Sequence, residues 1–292
     1  MNLPGVLVSA GAAWNGRPST LRKYIPEIES DGLSVVGLVR EDNQDSIYLP
    51  NGQHAPEMGL LYAVADGMGG YAHGAVASSL ALEALANTLF ERADPNPKAL
   101  FNGVEKANIE VYKAAQRMAA GRMGTTLTAA YILGDTLHLA HIGDSRAYLI
   151  RNGRSICLTA DHTTVGDMVR AKLISPDKTR THAQRSVLTK AVGLGLFVQP
   201  DIVEHKLREG DRLVLCSDGV WSVIQDEEFA QAASELPLDV ISQNLINLAL
   251  DRETDDNVSV VVFHLRKLTP VHAAPESDQQ TNWFQKLRKM AR

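Results

Sequence analysis

Cysteine is scarce in this sequence of 292 residues: only Cys157 and Cys216 occur, and both lie inside apolar stretches. Neither has a histidine or the other cysteine beside it, so the pattern predicts two small buried side chains in a reducing compartment. A cysteine nucleophile is disfavoured, because its activation needs a cationic neighbour or a helix end. Clusters of histidine and cysteine are also absent, which excludes a typical zinc site.

Surplus positive charge and long apolar runs are lacking as well. The net charge is -5, and lysine and arginine cluster only near the C-terminus, so nucleic acid is not an expected partner. No run reaches the roughly 18 apolar residues of a membrane-spanning helix. The stretch 1–13 lacks a basic n-region and is broken by Pro4 and Gly5, which argues against a secretion signal. We therefore expect a cytoplasmic protein, and we expect it to act as a monomer.

What is present is a chain that is 45% apolar and long enough to bury a large core. Residues 1–30 show no sustained period and are interpreted as an N-terminal extension, followed by one α+β domain over 31–266 with a polar surface flap at about 161–186. Residues 267–292 are interpreted as a disordered linker and a short basic amphipathic tail. That tail is either a docking helix for a partner or an anionic membrane, or a frayed solvated end.

Apolar periodicity predicts strands and helices without regular β-α-β alternation, which favours a layered α+β domain over a doubly wound one. The strand that begins at Gly59 stops abruptly before Asp66 and Gly67, where we predict a tight turn. Strands are predicted at 33–39, 59–65, 125–133, 136–142, 146–150, 155–158, 201–207, 211–216 and 257–265, and helices at 74–92, 97–120, 220–224, 226–235 and 238–251.

Three aspartates occupy equivalent places beside buried strands. Asp66 and Asp218 each follow an apolar run and precede a glycine, and Asp256 precedes the last strand. A buried carboxylate without a partner is costly, so repetition of this arrangement is best explained by a bound cation. Mg²⁺ and Mn²⁺ prefer oxygen ligands, so a few carboxylates suffice to hold them. A single Asp-Gly pair usually marks a turn, but the set of three is far more specific.

Four further residues add to this set. Asp45 follows the first predicted strand, and Asp144 lies between two others. Arg40 precedes Asp45 by five positions and has the side chain best shaped to take a phosphate through two hydrogen bonds. Gly67 lets the backbone approach closely, so its carbonyl could serve as a metal ligand.

The order and spelling of eight segments resemble the metal-dependent PPM or PP2C-type protein phosphatases, in particular their bacterial branch. The segments span about 33–265, which is nearly the whole chain. They are GLVREDNQD at 37–45, VADGMGG at 64–70, GTT at 124–126, HIGDSRAY at 141–148, DHT at 161–163, VLTKAVG at 187–193, CSDGVW at 216–221 and DNVS at 256–259.

The resemblance implies a four-layer α-β-β-α sandwich, in which two mainly antiparallel sheets are flanked by helices, with two Mn²⁺ or Mg²⁺ ions at one end. It implies these roles: Asp66 bridges both ions, Asp218 and Asp256 hold the first, Asp45 and the Gly67 carbonyl hold the second, Asp144 with Asp218 forms a weaker third position, and Arg40 binds phosphate. Asp66, Asp218 and Arg40 are thereby the expected catalytic residues. The implied reaction is attack on phosphorus by a water held between the ions.

The implied activity is hydrolysis of phosphoserine and phosphothreonine in proteins that a serine/threonine kinase has modified. Met68 and Tyr71 depart from the family pattern, which leaves the acid for the leaving group unassigned, with His73 and His162 as weaker candidates. The alternative is a catalytically weak pseudophosphatase or phosphoprotein-binding module. It is disfavoured because every expected ligand position is still aspartate. A specialised regulator that acts on a phosphorylated anti-sigma antagonist is a further alternative.

Overall fold

The computed structural model describes residues 24–70, 73–91, 95–119 and 122–271. Most of the expected N-terminal extension, up to residue 23, lies outside the described residues. The same holds for Tyr71 and for the expected tail from residue 272 onward.

Eleven strands in the described part of the chain form two antiparallel sheets. The first sheet has the order β1-β11-β10-β7-β8, and the second has the order β2-β3-β5-β6-β9, with the short β4 paired to β3. The strands are β1 Tyr24–Val35, β2 Asp45–Tyr48, β3 Leu60–Met68, β4 Gly124–Thr125, β5 Leu127–Leu133, β6 Thr136–Ile142, β7 Arg146–Arg151, β8 Arg154–Cys157, β9 Asp201–Lys206, β10 Arg212–Cys216 and β11 Val258–Pro270.

The described segments contain six α-helices. None of them combines the length and the apolar character that a membrane crossing requires. They are α1 His73–Phe90, α2 Lys98–Arg117, α3 Thr164–Arg170, α4 Asp218–Trp221, α5 Asp226–Glu235 and α6 Leu238–Asp251, with short 3₁₀ turns at Pro56–Met58 and Pro176–Lys178.

Three groups of buried side chains account for the layers. The middle group fills the space between the sheets, where Tyr62 of β3 contacts Phe263 of β11 with their ring centroids 5.0 Å apart. A second group joins α1 and α2 to the outer face of the β3-containing sheet. The third joins α5 and α6 to the outer face of the β11-containing sheet. Burial on both faces of both sheets gives the α-β-β-α sandwich that the sequence led us to expect, and the structure confirms it.

The edges of several elements differ from the sequence prediction. β1 begins at Tyr24 and ends at Val35, so it starts nine positions before the predicted Leu33 and does not include residues 36–39. It is an edge strand paired with β11 along its whole length, and many of its side chains are partly or fully exposed. Pro26 and the polar stretch 29–32 interrupt its apolar residues, so its first nine positions gave no strand signal. The four-residue β2 was missed because it contains no apolar run.

The predicted turn at Asp66 and Gly67 is wrong, because β3 continues through both residues to Met68. Gly67 and Met68 pair with Thr125 and Gly124 of β4, which extends the strand past the end of the apolar run. A Cβ on residue 67 would lie 2.1 Å from the Gly74 carbonyl oxygen and 2.6 Å from that of Gln44. Glycine is therefore required here by close backbone approach and not by a turn.

Candidate metal centre

The five predicted acidic ligands come from both sheets and meet at one end of the sandwich. Asp45, the first residue of β2, lies directly opposite Asp66 of β3. Asp144 lies in the loop that joins β6 to β7, Asp218 is the first residue of α4 just after β10, and Asp256 lies two residues before β11. Residues far apart in the sequence are thus brought together by strand pairing and by the packing of one sheet on the other.

A polar cleft of about 840 Å³ opens between these strand ends. Four of the five acids line it, together with the two other residues that the sequence singled out, Arg40 and Gly67. The lining acids are Asp66, Asp144, Asp218 and Asp256.

Asp45 lies behind the cleft surface and is only 8% exposed. It borders a second groove of about 900 Å³ between β2 and α1 that contains none of the other four acids. The acidic groups meet in the smaller cleft, which is therefore the candidate site.

Electrostatics show how closely the acids approach one another. The pKa of Asp66 is raised well above its ordinary value, first by burial and then by the negative charges of the other four acids, Asp45, Asp218, Asp144 and Asp256. Burial also raises the pKa of Asp218 to about 7, with further contributions from Asp256 and Asp45. The pKa of Asp144 is raised well above its ordinary value, again mainly by burial. A cluster of this kind is stabilised when a cation offsets the repulsion.

Two buried carboxyl oxygens identify where compensation is needed. Asp45 Oδ1 and Asp218 Oδ1 have no hydrogen-bond partner among the described residues. The other oxygen of Asp45, Oδ2, accepts a hydrogen bond of 2.6 Å from the Ser259 hydroxyl, and burial still raises the pKa of this carboxyl to about 6. Unpaired buried carboxylate oxygens are the donor atoms that Mg²⁺ and Mn²⁺ bind, so the residues fit such ions.

In the described residues the five acids lie near one another but do not form a complete metal-binding group. In the described part of the chain, no three histidine, cysteine or acidic side chains have the spacing of a complete metal-binding group. The effects on the pKa of Asp66 nevertheless place the other four carboxyls within electrostatic range of it. The roles given to Asp45, Gly67, Asp66, Asp144, Asp218 and Asp256 as individual ligands remain predictions.

Arg40 lies on the cleft wall and is held by an acid of the cluster. Its Nη2 donates to Asp256 Oδ2 over 2.7 Å, and the Arg40 side chain is 55% exposed. One guanidinium edge is thus fixed while the side chain remains accessible from solvent. This placement brings a positive charge to the rim of the acidic cleft, and the phosphate-binding role of Arg40 stays a prediction.

Asn257 is a residue of the site whose role the sequence did not reveal. Its Nδ2 donates to the carbonyl oxygens of Val36 and Asp42, at 2.8 Å and 3.0 Å, and its Oδ1 accepts from the Gln44 N–H at 2.9 Å. This buried amide fastens both ends of the segment that carries Arg40 to the start of β11. Its position next to Asp256 was the only signal available in the sequence.

The structure places neither candidate histidine for the leaving-group acid on the cleft wall. Neither His73 nor His162 is among the cleft-lining residues, and His162 is only 1% exposed. The described lining contains instead a second arginine, Arg122, together with Met68 and Thr126. Sequence reasoning missed Arg122, because an isolated arginine outside a strand-end pattern gives no signal.

Comparison with known proteins identifies the family to which this chain belongs. The model of the family "Protein phosphatase 2C" matches residues 36–167 and 191–258. The chain belongs to the protein phosphatase 2C family. The resemblance drawn from the eight segments is therefore confirmed.

Two curated relatives of this phosphatase 2C chain are bacterial. It is 38% identical over 228 residues to the serine/threonine protein phosphatase PstP of Mycobacterium tuberculosis, an alignment that covers 77% of this chain and 43% of the relative. It is 30% identical over 240 residues to the protein phosphatase PhpP of Streptococcus pneumoniae, covering 80% of this chain and 96% of the relative. The chain thus matches less than half the length of PstP.

Solved structures of phosphatase 2C proteins have the same fold. A crystal structure of PstP from M. tuberculosis has a TM-score of 0.73 at 36% identity and covers 82% of this chain and 99% of that one. The catalytic domain of PstP in complex with two manganese ions has a TM-score of 0.72 at 34% identity, with the same coverage. Stp1 from Staphylococcus aureus has a TM-score of 0.76 at 29% identity and covers 82% of this chain and 96% of that one.

Proposed function

We propose that this protein hydrolyses phosphoserine and phosphothreonine in proteins with the help of divalent cations. The observation that carries the proposal is the cleft itself. Its wall includes Arg40, and the pKa of Asp66 is raised there by the negative charges of four other acids, Asp45, Asp144, Asp218 and Asp256. Support also comes from relatives named serine/threonine phosphatases and from a neighbour solved with two manganese ions.

The acids would hold two Mn²⁺ or Mg²⁺ ions. We assign Asp66 to both ions, Asp218 and Asp256 to one, and Asp45 with the Gly67 carbonyl to the other. A weaker third position would involve Asp144 and Asp218. When bound, such ions supply Lewis acidity and lower the pKa of a coordinated water, which makes a nucleophile available at neutral pH.

The chain's own contribution is to collect negative charge at the floor of the cleft and to present positive charge at its rim. The guanidinium of Arg40 orients a phosphate by charge-assisted hydrogen bonds, and its anchor on Asp256 limits the loss of side-chain entropy on binding. The Arg40 guanidinium also neutralises charge on the phosphate oxygens as the bond between phosphorus and the serine or threonine oxygen breaks.

The substrates that this chemistry fits are proteins phosphorylated by a serine/threonine kinase. The kinase, a monomeric state and a cytoplasmic location stay predictions. The alternative, a pseudophosphatase that binds phosphoproteins without hydrolysis, would use the same cleft, so an activity measurement has to separate the two.

The test compares Asp218→Asn with Asp239→Asn, an exposed acid on α6 outside the cleft. We expect the wild type and the Asp239 variant to hydrolyse p-nitrophenyl phosphate and a phosphothreonine peptide with Mn²⁺, and we expect EDTA to stop both reactions. The Asp218 variant should be inactive yet folded by circular dichroism, because loss of one buried charge relieves repulsion among the remaining acids. Full activity in that variant would contradict the assignment, and binding of the peptide without turnover by the wild type would favour the pseudophosphatase.

A further inference from the structure

The loop that carries Asp144 has a backbone conformation that its neighbours must hold. Gly143 has a φ of +104°, a region that disfavours any residue with a side chain. A Cβ on this residue would also lie 2.6 Å from the Cβ of Thr126. Gly143 is therefore packed tightly against Thr126, which lies between β4 and β5. Small displacements of Gly143 would move the Asp144 carboxyl, which lines the cleft.

His162 forms hydrogen bonds with both main-chain polar groups of Gly143. The His162 N–H donates to the Gly143 carbonyl oxygen over 2.7 Å, and the Gly143 N–H donates to His162 Nδ1 over 3.1 Å. The next carbonyl, that of Asp144, accepts from Trp221 Nε1 over 2.8 Å. The main-chain N–H of His162 and the indole N–H of Trp221 thus hold the peptide groups on either side of the Asp144 Cα, while His162 Nδ1 holds the peptide group between Ile142 and Gly143.

The hydrogen bonds of His162 determine which ring nitrogen carries the proton. A main-chain N–H can only donate, so Nδ1 must be the unprotonated acceptor and the ring proton lies on Nε2. Nε2 is 3.1 Å from Asp201 Oδ2, which accepts that proton's hydrogen bond. Lys190 Nζ lies 3.3 Å from the other oxygen of Asp201 and 3.2 Å from Nε2. Burial lowers the pKa of His162, which agrees with a neutral ring.

His162 also lies where both ends of the flap meet. Its carbonyl accepts from the Thr189 N–H over 2.8 Å, and Thr163 pairs with Leu188 as an isolated β-bridge. The segment between these pairs returns to the cleft at Val187 and Leu188, which line it. The buried ring of His162 therefore contacts the loop that carries Asp144, while the His162 backbone joins the two ends of the flap.

We propose that His162 is a positioning residue: its Nδ1 holds the N–H of Gly143 and so fixes the main-chain conformation of Gly143 that keeps Asp144 ready to bind the weaker divalent cation. The proposal rests on the proposed function, since it takes Asp144 as a ligand of that position. It also explains why His162 is absent from the cleft lining: its action passes through the backbone and not through the substrate.

A pair of substitutions separates the role of Nδ1 from the presence of a side chain. In His162→Asn the amide oxygen lies near the former Nδ1 position and can still accept from Gly143. In His162→Gln the amide lies near the former Nε2 position, so contact with Asp201 is kept and the Gly143 acceptor is lost. Mn²⁺ binding to the full-length chain is measured by titration calorimetry, with Asp144→Asn as the reference that identifies the weak event.

We expect Asp144→Asn to lose the weakest Mn²⁺ event. His162→Gln should weaken the same event by about tenfold, which corresponds to one hydrogen bond of roughly 1.4 kcal/mol, and His162→Asn should stay within about threefold of the wild type. The tighter Mn²⁺ events should be unchanged in both His162 variants. Equal weakening by Asn and Gln, or none by Gln, would overturn the proposal. Failure of the wild type to bind Mn²⁺ at all would instead overturn the proposed function.

His162→Leu provides a second variant without an acceptor, in which an apolar side chain of similar volume fills the buried position. It lacks Nε2, as His162→Asn does, so these two variants differ in the acceptor for the Gly143 N–H. We expect the weak Mn²⁺ affinity of His162→Leu to be lower than that of His162→Asn by about threefold or more. If His162→Gln does not fold, equal weak binding in the Leu and Asn variants is sufficient to refute the role of Nδ1.

Discussion

Single buried side chains decide much of the chemistry of this protein. The pKa values of Asp45 and Asp218 are raised to about 6 and about 7, mainly because burial disfavours their charged forms. Replacement of either acid by its amide removes a repulsive charge from the metal-free chain. Loss of activity in such a variant can therefore be separated from loss of folding, which makes the cleft acids informative targets.

The histidines of the second sheet provide a residue-scale prediction of pH dependence. His138 of β6 is 3% exposed, and burial, aided by the charge of Lys206, lowers its pKa to about 4. Glu204 Oε2 lies 3.8 Å from its Nδ1, and the ring of Tyr131 lies 6.4 Å away. The unfolded chain, with a histidine pKa near 6.5, binds more protons than the folded chain between about pH 4 and pH 6.5. Stability from this group is thus present above pH 6.5 and is lost as the pH falls.

His138→Leu should remove that dependence. Between pH 7 and pH 4.5 we expect the free energy of unfolding of the wild type to fall by about 2 kcal/mol more than that of the variant. The measurement is urea unfolding at both pH values. Comparison of the two changes, and not of absolute stabilities, cancels the effect of the other histidines and any packing cost of leucine. Parallel changes in the two proteins would mean that His138 is not held neutral by the fold.

The sequence could reveal the acids but not the residues that hold them. Asp66 and Asp218 each end an apolar run, so a local pattern exposes them. Asn257 contacts Val36, which is 221 positions away, and His162 contacts Gly143 through a backbone geometry that no spacing encodes. Contacts of this kind arise only when strands from both sheets are packed together.

At the scale of elements, pairing overrides local composition. β1 was placed too late because Pro26 and the polar residues 29–32 interrupt its apolar pattern, and pairing with β11 explains why this part still forms a strand. β3 was ended too early because a short partner strand, β4, extends it past the apolar run. Interior strands such as β5 and β6 were located within two residues, since burial on both faces gives them continuous apolar sequences.

The far end of β11 provides a prediction at this scale. Residues 267–270 pair with Tyr24–Glu27 of β1, and Leu268 packs against the core between the sheets while its N–H donates to Glu209 over 2.8 Å. A chain that ends after Leu265 should therefore be less stable than one that ends after Val271, by about 2 kcal/mol, from lost apolar burial and lost hydrogen bonds.

Urea unfolding of the two shortened proteins under identical conditions measures this difference. The longer protein is the matched control, because both lack residues 272–292. Equal midpoints and equal slopes would show that the pairing at the end of β11 does not contribute, and that the folded unit ends near residue 265.

At the scale of the whole molecule, the sandwich is a device for bringing acids from two sheets to one place. Sequence periodicity predicted only a layered α+β domain, and the four-layer arrangement came from the resemblance to a family. The physical reason is that the spacing of apolar residues indicates which face of a helix or strand is buried, but it does not indicate which other element packs on that face. Here α1 and α2 cover one sheet while α5 and α6 cover the other, and the cleft opens where the two sheets meet.

Metal binding should therefore stabilise the molecule as a whole. The repulsion among Asp45, Asp66, Asp144, Asp218 and Asp256 is present only in the folded chain, and a cation that offsets it binds the folded state preferentially. At a Mn²⁺ concentration 100 times the dissociation constant, the free energy of unfolding should rise by about 2.7 kcal/mol. For a chain of this size the melting temperature should increase by roughly 4 to 5 °C.

Differential scanning fluorimetry with Mn²⁺, and again after addition of EDTA, checks this expectation. Asp218→Asn should melt at or above the temperature of the metal-free wild type and should gain little from Mn²⁺, whereas Asp239→Asn should respond as the wild type does. This contrast links stability to the same side chains that are proposed to act in hydrolysis. A shift of equal size in the Asp218 variant would place the stabilising ion elsewhere on the protein, and the assignment of the acidic cleft as the metal centre would then have to be abandoned.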